Sequence, residues 1–129
     1  MSYGEGVKKM PKDFTSLEVW QEASELTDKI YKVTGGFPAE ERYNLTSQLR
    51  RSVVSIAANI AEASGRYHFK DKVNFLFNAR GSLEETRSHL FIAGRLSYAS
   101  SEIVESFDES LVNLRKKLNG LINAWKSNA

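Results

Sequence analysis

Leu76, Leu83 and Leu90 stand seven residues apart, and Ala79, Thr86 and Ala93 each follow one of them by three. Phe69 and Ser97 continue the period at its two ends. A heptad split four and three holds one stripe of a helix against a partner, and small residues set between large ones let two backbones approach closely. A strand would need alternation with period two instead. The spacing predicts a long helix near residues 69–99.

Three other segments carry the same four-three rhythm. In the first helix it runs through Val19, Ala23, Leu26, Ile30 and Val33. Thr15 is expected to cap that helix, with Glu18 completing a capping box and Phe14 packing on Val19 as a hydrophobic staple. Gly35 and Gly36 are expected to take positive φ and stop it, with Phe37-Pro38 as the exit. After a short turn around residues 39–42, the second helix is predicted from a cap at Asn44 to Ser64, its core stripe being Leu49, Val53, Ile56, Ile60 and Ala63. Beyond Ser100-Ser101 the last helix carries Val104, Phe107, Leu111, Leu114, Leu118, Leu121 and Trp125, and Glu102 and Glu105 suit its positive N-terminal end. No segment alternates with period two. Four amphipathic helices with short connections predict an all-α fold, an up-down-up-down antiparallel four-helix bundle.

Length and composition narrow the class. A chain of 129 residues is long enough for one domain with a real core. The absence of cysteine removes disulfides, thiol nucleophiles and cysteine-based zinc sites, and suits the reducing cytoplasm. The longest run free of Asp, Glu, Lys and Arg is Ser52 to Ala61, about half of a membrane span. MSYGEGVKKMPK, residues 1–12, has no apolar signal-peptide segment and reads as a flexible basic tail ahead of a bundle domain at 13–129. A net charge of +2 is too mild to prove a nucleic-acid partner.

The second helix has more apolar surface than a lone bundle requires. Between Ser52 and Ser64 its only charge is Glu62. With 100° per residue from Leu45, the core stripe falls between about 20° and 80°. Arg50, Val54, Ala57, Ala58 and Ala61 fall between about 120° and 220°, a second face that is small and apolar apart from Arg50. Gln48, Arg51, Ser55, Asn59, Glu62 and Arg66 form a polar seam between about 240° and 320°. One apolar face serves one bundle, so the second predicts a contact with another subunit through Val54, Ala58, Asn59, Ala61 and Glu62. Alanine as a plain helix former on a wet surface is the competing explanation.

LEVWQEA at 17–23, FPAEERYNLTSQLRRSVVSIAANIAEASGR at 37–66 and ARGSLEE at 79–85 resemble the bacterial four helix bundle family, the 23S ribosomal RNA intervening-sequence proteins. The resemblance spans roughly residues 13–120. It implies a cytoplasmic homopentamer, with some members encoded inside insertions in 23S ribosomal RNA genes. The related accessory variability proteins of diversity-generating retroelements bind nucleic acid and a reverse transcriptase, which implies RNA or DNA and such an enzyme as partners here. The family often has Pro where this chain has Ala57 and Gly where it has Ala63, and both differences favour a straighter second helix. The resemblance transfers no catalytic residue.

The residues themselves offer little chemistry. Glu85 and His89 are four apart, whereas di-metal bundles repeat Glu-x-x-His on two helices, so no metal or other cofactor is expected. Ser82 and His89 lie two turns apart, about 10 Å along the axis, beyond a nucleophile–base hydrogen bond. Residues 39–99 hold nine Arg or Lys against six acids, and the planar fork of Arg suits phosphate. Arg50, Arg51, Arg66, Arg80 and Arg87 are the candidate nucleic-acid contacts, although a solvated helix face explains such counts as well. The expected function is therefore a non-enzymatic homo-oligomer that binds RNA or DNA through phosphate. A scaffold that binds only a protein is the alternative, and an exposed apolar patch in place of clustered arginines would mark it.

Overall fold

The computed structural model describes residues 13–129, so the tail expected over 1–12 lies outside the described residues. Among the described residues there are four α-helices and no strand: α1 Glu18–Thr34, α2 Leu45–Gly65, α3 Phe69–Arg95 and α4 Ser101–Lys126. Two 3₁₀ turns, Phe14–Ser16 and Ala39–Glu41, precede α1 and α2. Each helix packs on the next, and α1 closes on α4. Cross-links set the directions. Arg80 meets Asn119, Glu84 meets Arg115 and Arg87 meets Asp108, so α4 numbers fall as α3 numbers rise. Ser52 with Thr86 and Ser55 with Ser82 do the same for α2 and α3.

The heptad seam of α3 holds through its middle. Leu76, Leu83, Leu90, Ala79, Thr86 and Ala93 are all buried, while Phe69 is half-buried and Ser97 is exposed. The α2 stripe of Leu49, Val53, Ile56, Ile60 and Ala63 is fully buried, as its spacing predicts. The closest packing is α2 against α3, and small residues make it possible. The Thr86 and Ser52 hydroxyls lie 2.9 Å apart inside the core, and Ser52 passes its proton to the Leu49 carbonyl at 3.0 Å. Nearer the surface the Ser55 and Ser82 hydroxyls also lie 2.9 Å apart. Part of the low charge of α2 is thus explained inside one chain: Ser and Ala are what an approaching α3 backbone tolerates, with every hydroxyl satisfied.

Several helix ends differ from the sequence expectation. Thr15 does not cap α1. The Asp13 carboxylate accepts from the Thr15 backbone N–H at 2.9 Å and from its hydroxyl at 2.7 Å, which winds the 3₁₀ turn and delays the α-helix to Glu18. Those bonds also hold the Asp13 carboxyl below its usual range, the Thr15 hydroxyl contributing most. Phe14 then packs edge-on against Trp20, 5.2 Å away, in place of the Val19 staple. No described glycine takes positive φ, so Gly35-Gly36 do not end α1 that way. The last carbonyls are closed by backbone N–H groups, Gly35 to Tyr31 and Gly36 to Val33 at 3.1 Å and Phe37 to Thr34 at 3.0 Å, and Arg50 adds bonds from Nε to the Thr34 hydroxyl at 2.8 Å and from Nη2 to the Tyr31 carbonyl at 3.3 Å.

Asn44 likewise makes no side-chain cap for α2; the Glu41 carboxylate accepts from the Leu45 N–H at 3.3 Å. Helix α3 stops at Arg95 rather than near 99. Ser97, at φ 63°, is the one non-glycine among the described residues in the left-handed region, and it closes a Schellman-type end in which Tyr98 N–H reaches the Ala93 carbonyl at 2.9 Å. In α4 the last core position is Ile122, with Leu121 and Trp125 packed at the core's margin.

Candidate functional site

Helix α2 is one unbroken run of 21 residues with its core face filled, so its remaining sides decide what else it does. The side toward α1 takes Arg50 and Ala57, which belong to the single-chain structure: Arg50 bonds the Thr34 hydroxyl and stacks 4.6 Å from the Tyr31 ring, and Ala57 packs on the core. The side toward α3 takes Asn59, whose amide donates to the Ser55 carbonyl at 2.9 Å and its hydroxyl at 3.0 Å. Asn59 is thus engaged at a helix–helix junction within the chain. Pointing away from the bundle are Val54, 42% exposed, Ala58, also exposed, and half-buried Ala61, with Arg51 exposed beside them. Glu62 forms an i, i+4 pair with Arg66 at 3.3 Å.

The five arginines do not converge. Arg50 sits at the α1–α2 junction. Arg66, at the opposite end of α2, lies between Glu62 and the Phe75 ring, 4.6 Å from its centroid. Arg80 and Arg87 face α4. Arg80 donates to Asn119 at 2.9 Å and stacks 5.0 Å from the Phe77 ring. Arg87 is gripped by Asp108 at 2.6 and 3.3 Å and by Glu84 at 3.2 Å. Hydrogen bonding to Asp108 pushes the Arg87 pKa up further, outweighing the burial that lowers it. Its side chain is 23% exposed and its charge is already matched. Arg51 makes no ion pair or hydrogen bond among the described residues. The structure therefore commits Arg50 and Arg87 to internal partners, holds Arg80 half-buried against Asn119 and Phe77, and leaves Arg51 and Arg66 exposed.

His89 bonds Glu85 at 3.2 Å as a local pair, while Ser82, two turns away on the same side of the helix, has its hydroxyl engaged with that of Ser55. Sequence spacing alone gave no notice of an apolar patch at the C-terminal end of α3. Phe91, Ile92 and Leu96 are exposed there, and Phe91 borders an open groove of about 240 Å³ that reaches Gly94 and Val104. The available signal was the run Leu90-Phe91-Ile92, three large apolar residues in a row where one helix face can take only some of them. No described helix is long and apolar enough to cross a membrane.

Comparison with known proteins places this arrangement. A family model described as 23S rRNA-intervening sequence protein matches residues 15–120. A crystal structure of a protein of unknown function from the S23 ribosomal protein family of Bacteroides thetaiotaomicron is similar, with a TM-score of 0.75 and 28% identity. That likeness covers 81% of this chain and 97% of the other. Among curated proteins none matches.

Proposed function

Because this chain belongs to the 23S rRNA-intervening sequence protein family, we propose that it is a non-enzymatic bundle that closes into a homopentamer and binds RNA or DNA through phosphate. The observation that carries the reading is the outward side of α2. Val54, Ala58 and half-buried Ala61 form a small apolar stripe that the single chain leaves at least partly open, with Arg51 beside it. A cyclic assembly joins such a stripe to a different surface of the next copy, and the rotation closes the ring.

Charge shapes how such a ring would hold a polyanion. Residues 1–12 contain Lys8, Lys9 and Lys12 against Glu5, so the formal excess of +2 lies entirely in that segment and residues 13–129 are formally neutral. Five chains would carry +10 in total, five times +2. Repeated weak contacts on one ring gain avidity, since every contact after the first is intramolecular. Arg51, Arg66 and Arg80 supply the contacts on the folded surface, and the basic segment supplies the long-range attraction.

The test is a titration of the full chain with single-stranded RNA and with duplex DNA at two salt concentrations. About five phosphate contacts should cost roughly a hundredfold in affinity for the single strand and roughly 500-fold for the duplex between about 50 and about 200 mM salt. Binding should discriminate little among sequences, because phosphate carries no base information. Replacing Arg51 and Arg80 by Ala should weaken binding evenly across sequences. Failure to bind at about 50 mM salt would transfer support to a protein-only scaffold, with a partner such as a reverse transcriptase. That second reading has its own observation in the exposed Phe91, Ile92 and Leu96.

A further inference from the structure

The connection between α2 and α3 reads Arg66-Tyr67-His68-Phe69-Lys70, aromatic residues set between cations. Its base is anchored. Phe69 turns inward onto Trp125, ring centroids 6.4 Å apart. Lys72 lies 5.8 and 5.3 Å from those two rings and donates to the Ser64 carbonyl at 3.0 Å, tying the start of α3 to the end of α2. On this base Tyr67 is held outward, 88% exposed, with the His68 ring edge-on to it at 5.0 Å. An open cleft of about 700 Å³ lies between Tyr67, His68, Lys70, Asp71 and Asn128. Lys70 makes no ion pair among the described residues, whereas Arg66 shares its charge with Glu62.

A single solvated tyrosine is ordinary. Here two ring faces, an unpaired cation and a half-exposed guanidinium share one anchored turn beside a cleft of ligand size. We propose that this turn takes an unpaired base of a single-stranded nucleic acid, stacked on Tyr67, with the flanking phosphates met by Lys70 and Arg66. The inference rests on the nucleic-acid reading above and adds to it a site and a substrate class. Every base has a π-face, so stacking tolerates any sequence, but bases within a duplex are already stacked and cannot enter. Phosphate contacts alone would treat a strand with bases and a strand without them alike.

The experiment titrates the full chain with a fluorescent thymidine oligomer and with an abasic oligomer of equal length. A stacked base worth about 1–3 kcal/mol is a factor of about 5 to 140 in affinity. Wild type should prefer the thymidine oligomer by that factor. Tyr67→Ala should lose the preference without changing the salt dependence, and Tyr67→Phe should keep it. Circular dichroism should be unchanged in both variants, since this side chain packs on almost nothing. Equal binding of the two oligomers by wild type, or an undiminished preference in Tyr67→Ala, overturns the stacking site while phosphate binding stands. Absence of binding to either oligomer overturns the nucleic-acid reading and the stacking site with it.

Discussion

Ala58→Arg is expected to break the assembly into single chains while helical circular dichroism stays close to wild type. Ala58 is exposed on the outward side of α2, so in an isolated chain the new side chain reaches water. Arg is nearly as good a helix former as Ala, and exposed substitutions of this kind cost within about 0.5 kcal/mol. In a contact built on a stripe of small residues, the guanidinium would fill the space meant for the neighbouring backbone and bury a charge without a partner. An unpaired buried charge is penalised by several kcal/mol, enough to shift an association constant by several powers of ten. Mass measured by light scattering should therefore fall to the 14.6 kDa of one chain. A variant that assembles like wild type would show that the contact lies elsewhere on the surface.

Leu83→Ala should destabilise the fold itself by about 2–5 kcal/mol. Leu83 is fully buried at the middle of the α3 seam, between Leu76 and Leu90, with buried Ala79 and Thr86 beside it. Removal of its branched end loses transfer free energy and leaves a cavity that two helix backbones already in close approach cannot collapse to fill. Domains of this size have only about 5–15 kcal/mol in total, so the urea midpoint should drop steeply. Leu96→Ala is the control, since Leu96 is exposed and the change should stay within about 0.5 kcal/mol. Because assembly stabilises the folded state by mass action, both variants are best compared at one protein concentration. A loss below about 1 kcal/mol for Leu83→Ala would contradict the packing described for α3.

The interior of this bundle was legible because a helix core is a periodic object. Leu49, Val53, Ile56, Ile60 and Ala63 on α2, and the leucines of α3, read directly off their spacing, and the hydrophobic effect rewards that spacing whatever the surroundings. Helix ends were less legible, because capping is a competition among neighbours. Asp13 takes the Thr15 N–H and hydroxyl into a 3₁₀ turn ahead of α1, and Gly35-Gly36 close the end of α1 through their N–H groups without positive φ. Outside the core, helical angle separated the sides of α2 but could not say which side another helix of the same chain would cover. Ala57 and Asn59 are half-buried within the chain, while Val54 and Ala58 are exposed. The arginines were least legible. Their number is plain in the sequence, and Glu84 lies three residues from Arg87 on α3, but the pairing to Asp108 depends on a residue that only the α3–α4 register brings near.

The mass of the full-length chain in solution, measured by light scattering on a sizing column, tests the central claim most directly. Closure into a pentamer predicts about five times the 14.6 kDa chain mass, unchanged on dilution through the micromolar range. A single species at 14.6 kDa under those conditions would contradict it.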